Sequence, residues 1–153
     1  MRFVLYFLLI ATPFCYAAKI QYAVNTKMSD DGRYALIFDD GKISTRATTW
    51  DLLSNRSLWA KTPNGNTWSF STGEFFPDNE RLALMKVKKS ASEFKSPTST
   101  ILILDINSGE ILKESAVLEG EWDFENIIIS PDQKYVIAMG YYNYVWDLTA
   151  DII

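Results

Sequence analysis

The chain has no histidine, and its one cysteine, Cys15, lies among the first seventeen of its 153 residues. Within residues 18–153 this excludes a Ser-His-Asp triad, a Cys-His pair and any zinc site built on His or Cys. No long run of one charge sign occurs, and the net charge is −4. Such a balance gives no electrostatic footprint for nucleic acid or an anionic membrane surface. There is no glycine-rich phosphate loop, no calcium-binding helix–loop–helix spacing and no paired acid/base signature. No cofactor and no metal ion are expected. Past residue 17, no ten-residue stretch holds a helical period of apolar residues.

What is present is β-forming and aromatic. Hydrophobic residues make up 48% of the chain and aromatics 14%, with five Trp and eight Tyr, a composition that suits pleated, half-buried surfaces. The first segment, MRFVLYFLLIATPFCYA, stands apart. Arg2, an apolar run from Phe3 to Ile10, Pro13, and small residues at Cys15 and Ala17 follow the order of a secretory signal peptide, with cleavage expected after Ala17. The run is shorter than the roughly 20 residues a membrane span requires. Residues 1–17 are therefore expected to direct export to a periplasmic or extracellular location, leaving 18–153 with no membrane attachment after cleavage.

An internal repeat governs the remainder. MSDDGRYALIF (28–38), FPDNERLALMKV (76–87) and SPDQKYVIAMG (130–140) align on Asp31, Asp78 and Asp132. Each places an Asp-containing turn before an apolar strand, with Pro77 and Pro131 where a type I turn takes a fixed φ. A second set, TTWDLLSNRSLW (48–59), LILDINSGEILK (102–113) and YVWDLTADI (144–152), aligns on Asp51, Asp105 and Asp147. Asp51 to Asp78 spans 27 residues and so does Asp105 to Asp132, with Trp68 and Trp122 each ten residues before the turn Asp. The variable spacing falls between the second and third strands of each unit, where a hairpin loop tolerates it. Eleven strands are expected, near 20–28, 33–39, 43–52, 56–60, 68–76, 81–87, 100–106, 110–117, 122–130, 134–140 and 142–148.

Units of this length ending in Trp-Asp, with Ser-Pro-Asp at 130–132, Phe-Pro-Asp at 76–78 and Trp-Asp at 50–51 and 146–147, resemble the WD-repeat and WD-like β-propellers over nearly all of residues 18–153. The middle unit has Leu104-Asp105 in place of Trp-Asp, and the Gly-His pair of the stricter repeats is absent. The resemblance implies an all-β fold of four-stranded antiparallel blades at about 18–60, 68–117 and 122–153, an incomplete ring of about three. It also implies that Trp50 and Trp146 pack between blades. The adjoining Asp51 and Asp147, and Asp105 in the same register, would tie turns to the outermost strand. Asp78 and Asp132 are expected to hold the turn after each innermost strand.

Three further segments carry candidate chemistry. In EGEWDFEN (119–126) a period-two strand would place Glu121, Asp123 and Glu125 on one face and Trp122 and Phe124 on the other. The acidic face could hold a cation in a central channel, although a solvated face opposite a packed one is the simpler reading. TPNGNTW (62–68) resembles a sialidase Asp-box in Gly65, Thr67 and Trp68 but has Pro63 at the Asp position, so a Gly turn ahead of a core Trp accounts for it. The lysine- and serine-rich loop 86–99 discourages edge pairing. Trp68, Trp122, Glu121, Asp123 and Glu125 are the candidate binding residues, and no residue is assigned as catalytic.

The functional expectation is an exported, non-catalytic scaffold recognising a protein or glycan partner. The alternative is the propeller portion of an enzyme, such as a quinoprotein dehydrogenase, a peptidase or a glycan hydrolase, whose chemistry lies outside these residues. Three blades leave apolar faces open, so further blades or self-association are needed to close the ring. The third unit stops at WDLTADII, before a full outer strand, which favours further blades of a longer chain.

Overall fold

The computed structural model describes residues 23–40, 45–63, 68–88, 98–119 and 124–150. Residues 1–17, expected from the sequence to be a signal peptide, lie outside them, as do Glu121, Trp122 and Asp123. Among the described residues every regular element is a strand. Strands β1 (Ala23–Met28), β2 (Tyr34–Asp40), β3 (Thr45–Asp51) and β4 (Arg56–Lys61) form the first sheet in chain order. The second contains β5 (Trp68–Phe75), β6 (Arg81–Lys88), β7 (Thr98–Asp105) and β8 (Ile111–Glu114), with short β9 (Leu118–Glu119) also pairing β7. The third contains β10 (Asn126–Ile129), β11 (Tyr135–Met139) and β12 (Asn143–Asp147). All pairings are antiparallel.

The repeated turns make the meanders. After the first strand of each sheet, the carbonyls of Ser29, Phe76 and Ser130 accept hydrogen bonds from the N–H of Gly32, Asn79 and Gln133. Those three residues have φ of 69°, 55° and 60°, so each hairpin is a type I turn closed by a left-handed residue. Asp31 Oδ1 accepts from the Ser29 hydroxyl at 2.6 Å and the Arg33 N–H at 3.0 Å. Asp132 repeats this with Ser130 at 2.7 Å and Lys134 at 3.2 Å. Asp78 has no serine partner and instead accepts from the N–H groups of Glu80 and Arg81.

A second carboxylate closes the turn leaving each third strand. Asp51 Oδ1 accepts from the N–H of Leu53 and Ser54, Asp105 from Asn107 and Ser108, and Asp147 from Thr149 and Ala150. Each caps two donors that the hairpin would otherwise leave unpaired. Leu52, Ile106 and Leu148 then donate to the carbonyls of Arg33, Glu80 and Lys134, joining the two turns of each sheet at one end.

Side chains alternate across each sheet, so β6 and β7 of the second sheet each serve two interfaces. Between the first and second sheets lie Leu36, Phe38, Phe70, Leu82, Leu84 and Leu104. Between the second and third lie Met85, Ile101, Ile103, Ile127, Val136 and Trp146. Gly73 permits the first interface: a Cβ there would stand 2.6 Å from Leu36 Cδ2 and 2.9 Å from the Ala83 carbonyl oxygen.

Two expectations are corrected. The strand anticipated at 122–130 runs only from Asn126 to Ile129. Its partner β11 ends at Met139, opposite Asn126, because the chain turns at 140–142. Glu125 therefore precedes the strand, and the alternating face that was to contain Glu121, Asp123 and Glu125 does not extend to it. The strand anticipated at 110–117 runs only from Ile111 to Glu114, and short β9 follows it at Leu118–Glu119, with the intervening Ser115 hydroxyl accepting from the Ile101 N–H at 2.9 Å.

Candidate functional site

In these meanders the two ends of each sheet differ. One end carries the Asp-capped turns just described, with their donors and acceptors engaged. The other end receives the connections at 41–44, 64–67, 89–97 and 120–123, which lie outside the described residues, and the 140–142 hairpin. Loops of variable length on a fixed frame are where recognition concentrates.

Trp68 opens β5 at this loop end, opposite Lys88. Its ring is half-buried, with Lys86 Nζ 4.4 Å and Lys88 Nζ 5.6 Å from the ring centroid. Both distances fall within cation–π range. Glu125 is exposed, and its N–H donates to the Met139 carbonyl. Beyond Met139 the 140–142 turn presents Tyr141, 88% exposed, in an edge-to-face pair with Tyr142 at 5.0 Å. The loop end therefore combines aromatic faces, two lysines and a carboxylate on one rim. Trp122, Glu121 and Asp123 fall outside the described residues. Among the described residues no three carboxylates cluster closely enough to hold a metal ion.

The first strands of the three sheets converge on a polar cluster that pattern reading did not find. Lys27 Nζ on β1 donates to Glu74 Oε2 on β5 and to Asn126 Oδ1 on β10, each at 3.1 Å. Lys27 and Glu74 keep 28% side-chain exposure, so this ion pair is partly solvated. Beside it β5 bulges between Phe70 and Gly73, and the hydroxyls of Ser71 and Thr72 are buried without a partner among the described residues. Bulges gather next to binding sites because they re-aim side chains. Residues 47 to 99 positions apart form this cluster, so no local pattern could announce it.

The turn carboxylates are electrostatically settled. Asp31 and Asp132 are held below the ordinary carboxylate range, first by the hydroxyls of Ser29 and Ser130 and then by backbone N–H groups. Asp105 is lowered by the Ser108 N–H and hydroxyl, and Asp147 by the Thr149 hydroxyl and N–H. At Asp51 burial pushes upward, but donors from Ser54 and Leu53 together with Arg33 outweigh it. Each carboxylate is an ionised acceptor within its own hairpin rather than a proton donor or a base.

Of the two tryptophans expected to pack between blades, Trp146 is 1% exposed inside the second interface, whereas Trp50 is half-buried on the side of the first sheet that faces away from the second. A third tryptophan does what the pattern did not assign. Trp59 on β4 packs on Gly109, and its Nε1–H donates to the Ile106 carbonyl of the next sheet at 2.8 Å.

No family model matches the chain, and no curated protein matches it in sequence. Similarity appears in the fold. The Dos1 propeller aligns with a TM-score of 0.59 at 14% identity, covering 83% of this chain and 32% of that one. TolB from Acinetobacter baumannii aligns at 0.54 and 18% identity, covering 84% and 31%. The acylaminoacyl peptidase of Pyrococcus horikoshii aligns at 0.52 and 14% identity, covering 82% and 23%. This chain thus spans about a quarter to a third of the length of these proteins. Its fold is a loosely similar β-propeller arrangement, with the three sheets as blades and the first strands innermost.

Proposed function

We propose that the chain is an exported, non-catalytic propeller scaffold that recognises a protein or glycan partner through its loop end. The observation that carries this reading is the contrast between the two ends. The turn end is closed on itself by Asp-centred hydrogen bonds, while the loop end presents Trp68 with its two lysines and the Tyr141–Tyr142 pair. Exposed aromatics beside polar groups supply contact area at low entropic cost. The absence of histidine, with the one cysteine in the leader, supports a role without nucleophilic catalysis. The signal-peptide order of residues 1–17 supports export. The convergence of Lys27, Glu74 and Asn126 provides a polar lining for the central channel.

A second reading draws on the likeness to the acylaminoacyl peptidase. In it these blades are the non-catalytic part of an enzyme whose reacting groups lie elsewhere. Determining whether the reading frame continues past Ile153 into a catalytic domain separates the two. The test of the scaffold reading is a glycan array and an envelope-protein overlay probed with the purified chain. Trp68→Ala and Lys86→Ala should lose the captured partner, while Leu53→Ala at the turn end should retain it. Loss with Leu53→Ala alone would place recognition at the wrong end and overturn the reading.

A further inference from the structure

The face that the second blade turns toward the first changes character along its strands. Its cross-strand rows are Phe75–Leu82–Leu104 and Gly73–Leu84–Leu102, then Phe70–Lys86–Thr100 and Trp68–Lys88–Thr98 at the loop end. The first two rows belong to the buried core. In the last two, half-buried Trp68 meets half-buried Lys86 and exposed Lys88. Both lysines lean toward β5 rather than β7, since Lys86 Nζ stands 4.4 Å and Lys88 Nζ 5.6 Å from the indole centroid.

The same register in the first blade holds a neutralised pair. Counted from the turn carboxylates Asp31 and Asp78, Asp39 corresponds to Lys86. Asp39 stands opposite Arg46 and forms an ion pair with it. Lys86 stands opposite uncharged Thr100. Among the described residues neither Lys86 nor Lys88 has a carboxylate partner, and Glu74 is already paired with Lys27. Register places Glu119 beyond Thr98, two strands and about 10 Å from Lys88. That is the side from which the two ammonium groups lean away.

Cation–π attraction positions these ammonium groups without neutralising them. Held near one ring, the two like charges repel, and an anion that meets both removes the repulsion and accepts charge-assisted hydrogen bonds. The surroundings select what carries that anion. No large exposed hydrophobic residue stands in these two rows, so the apolar centre of a protein interface is missing here. What the rows offer is the open part of one indole, two ammonium groups and the half-buried Thr98 beside Lys88. An acidic sugar matches that set, with an aliphatic ring face for the indole and acid groups for the lysines.

We infer that the loop end recognises an anionic polysaccharide, whose carboxylate or sulfate groups bind Lys86 and Lys88 while a sugar ring packs against Trp68. The inference rests on the loop-end reading above and names its ligand. The net charge of −4 gives an anion no long-range attraction, so recognition depends on these local contacts. Added salt weakens the lysine contacts and leaves the indole contact in place.

Calorimetric titration of the purified chain with oligogalacturonate, chondroitin sulfate and neutral dextran oligosaccharides tests it, with polyglutamate as the peptide comparison. One or both acidic polysaccharides should bind, and the two arms separate carboxylate from sulfate. Lys88→Gln should weaken binding about two- to fivefold, as loss of one exposed charge contact does. The double variant Lys86→Gln/Lys88→Gln should weaken it about tenfold and remove most of the salt dependence, with an unchanged circular dichroism spectrum. Trp68→Phe should weaken binding while keeping the salt dependence, and Lys134→Gln at the turn end should leave both unchanged. Failure of both acidic polysaccharides to bind would overturn the inference. Tighter binding of dextran or polyglutamate through Trp68, Lys86 and Lys88 would also overturn it, while leaving recognition at the loop end intact. Binding lost with Lys134→Gln and unaffected by the double lysine variant would overturn the loop-end reading as well.

Discussion

Replacing Gly109 by alanine tests the contact that fastens the first blade to the second. Gly109 has φ of 70°, and a Cβ built there lies 2.8, 2.9 and 3.0 Å from Cγ, Cδ2 and Cδ1 of Trp59. Two costs add. Left-handed backbone costs a non-glycine residue about 1–2 kcal/mol. The indole must also shift by several tenths of an ångström, which disturbs its 2.8 Å hydrogen bond to the Ile106 carbonyl, a bond contributing about 0.5–1.5 kcal/mol net. Together they predict a loss of about 2–3 kcal/mol. Trp59→Ala removes all three contacting ring atoms, so in that background Gly109→Ala should cost only the backbone strain, about 1–2 kcal/mol. The two substitutions should therefore couple by about 1 kcal/mol, within the range for residues in contact. Gly109→Asn separates the causes: asparagine tolerates the left-handed region but keeps the Cβ, so its cost reflects the steric clash. Urea unfolding followed by far-ultraviolet circular dichroism, with parent, single and double variants measured together, gives all the required differences. Equal costs for Gly109→Ala with and without the indole would refute the contact between Trp59 and the Gly109 turn.

Other consequences can be measured in the same way. Trp146→Ala should destabilise by about 3–5 kcal/mol, the usual cost of truncating a buried tryptophan, and a denaturant midpoint equal to the parent's would place that side chain outside the core. Asp132→Ala should lower the denaturant midpoint through the lost acceptor for Ser130 and Lys134, whereas Asp132→Asn, which keeps an acceptor oxygen, should lower it less; equal losses would tell against the hydrogen-bond argument. Asp31, Asp51, Asp105, Asp132 and Asp147 all have lowered folded-state pKa values. Their stabilisation is therefore complete above the ordinary aspartate value of about 3.9 and is lost as pH falls through the lower folded values. Denaturant midpoints should be flat above that value and fall below it, and a rise on acidification would contradict the assignment. Intact-mass measurement of the exported product should show a chain beginning at Ala18, and retention of residues 1–17 would oppose the leader assignment.

The all-β class, the order of strands and turns, and the 27-residue register were legible because each rests on short-range chemistry. Short apolar runs directly after an Asp-containing turn marked β2, β6 and β11. An Asp three residues before the second strand of each blade, followed by Gly, Asn or Gln, marked a hairpin whatever surrounded it. The bounds of β10 were not legible, since a strand extends only as far as its partner, and β11 stops at Met139. Spacing placed Trp50 and Trp146 in one register, but burial depends on what packs opposite. Trp146 meets the second blade and is buried, whereas Trp50 faces away from it and remains half-buried. Trp59, which no repeat position marked, became the latch because the fold carried the Ile106 carbonyl to its indole nitrogen. Lys27, Glu74 and Asn126 meet for the same reason. Turn and strand propensities act over a few residues of chain, while these contacts join residues 47 to 99 apart that only blade packing brings within 3.1 Å.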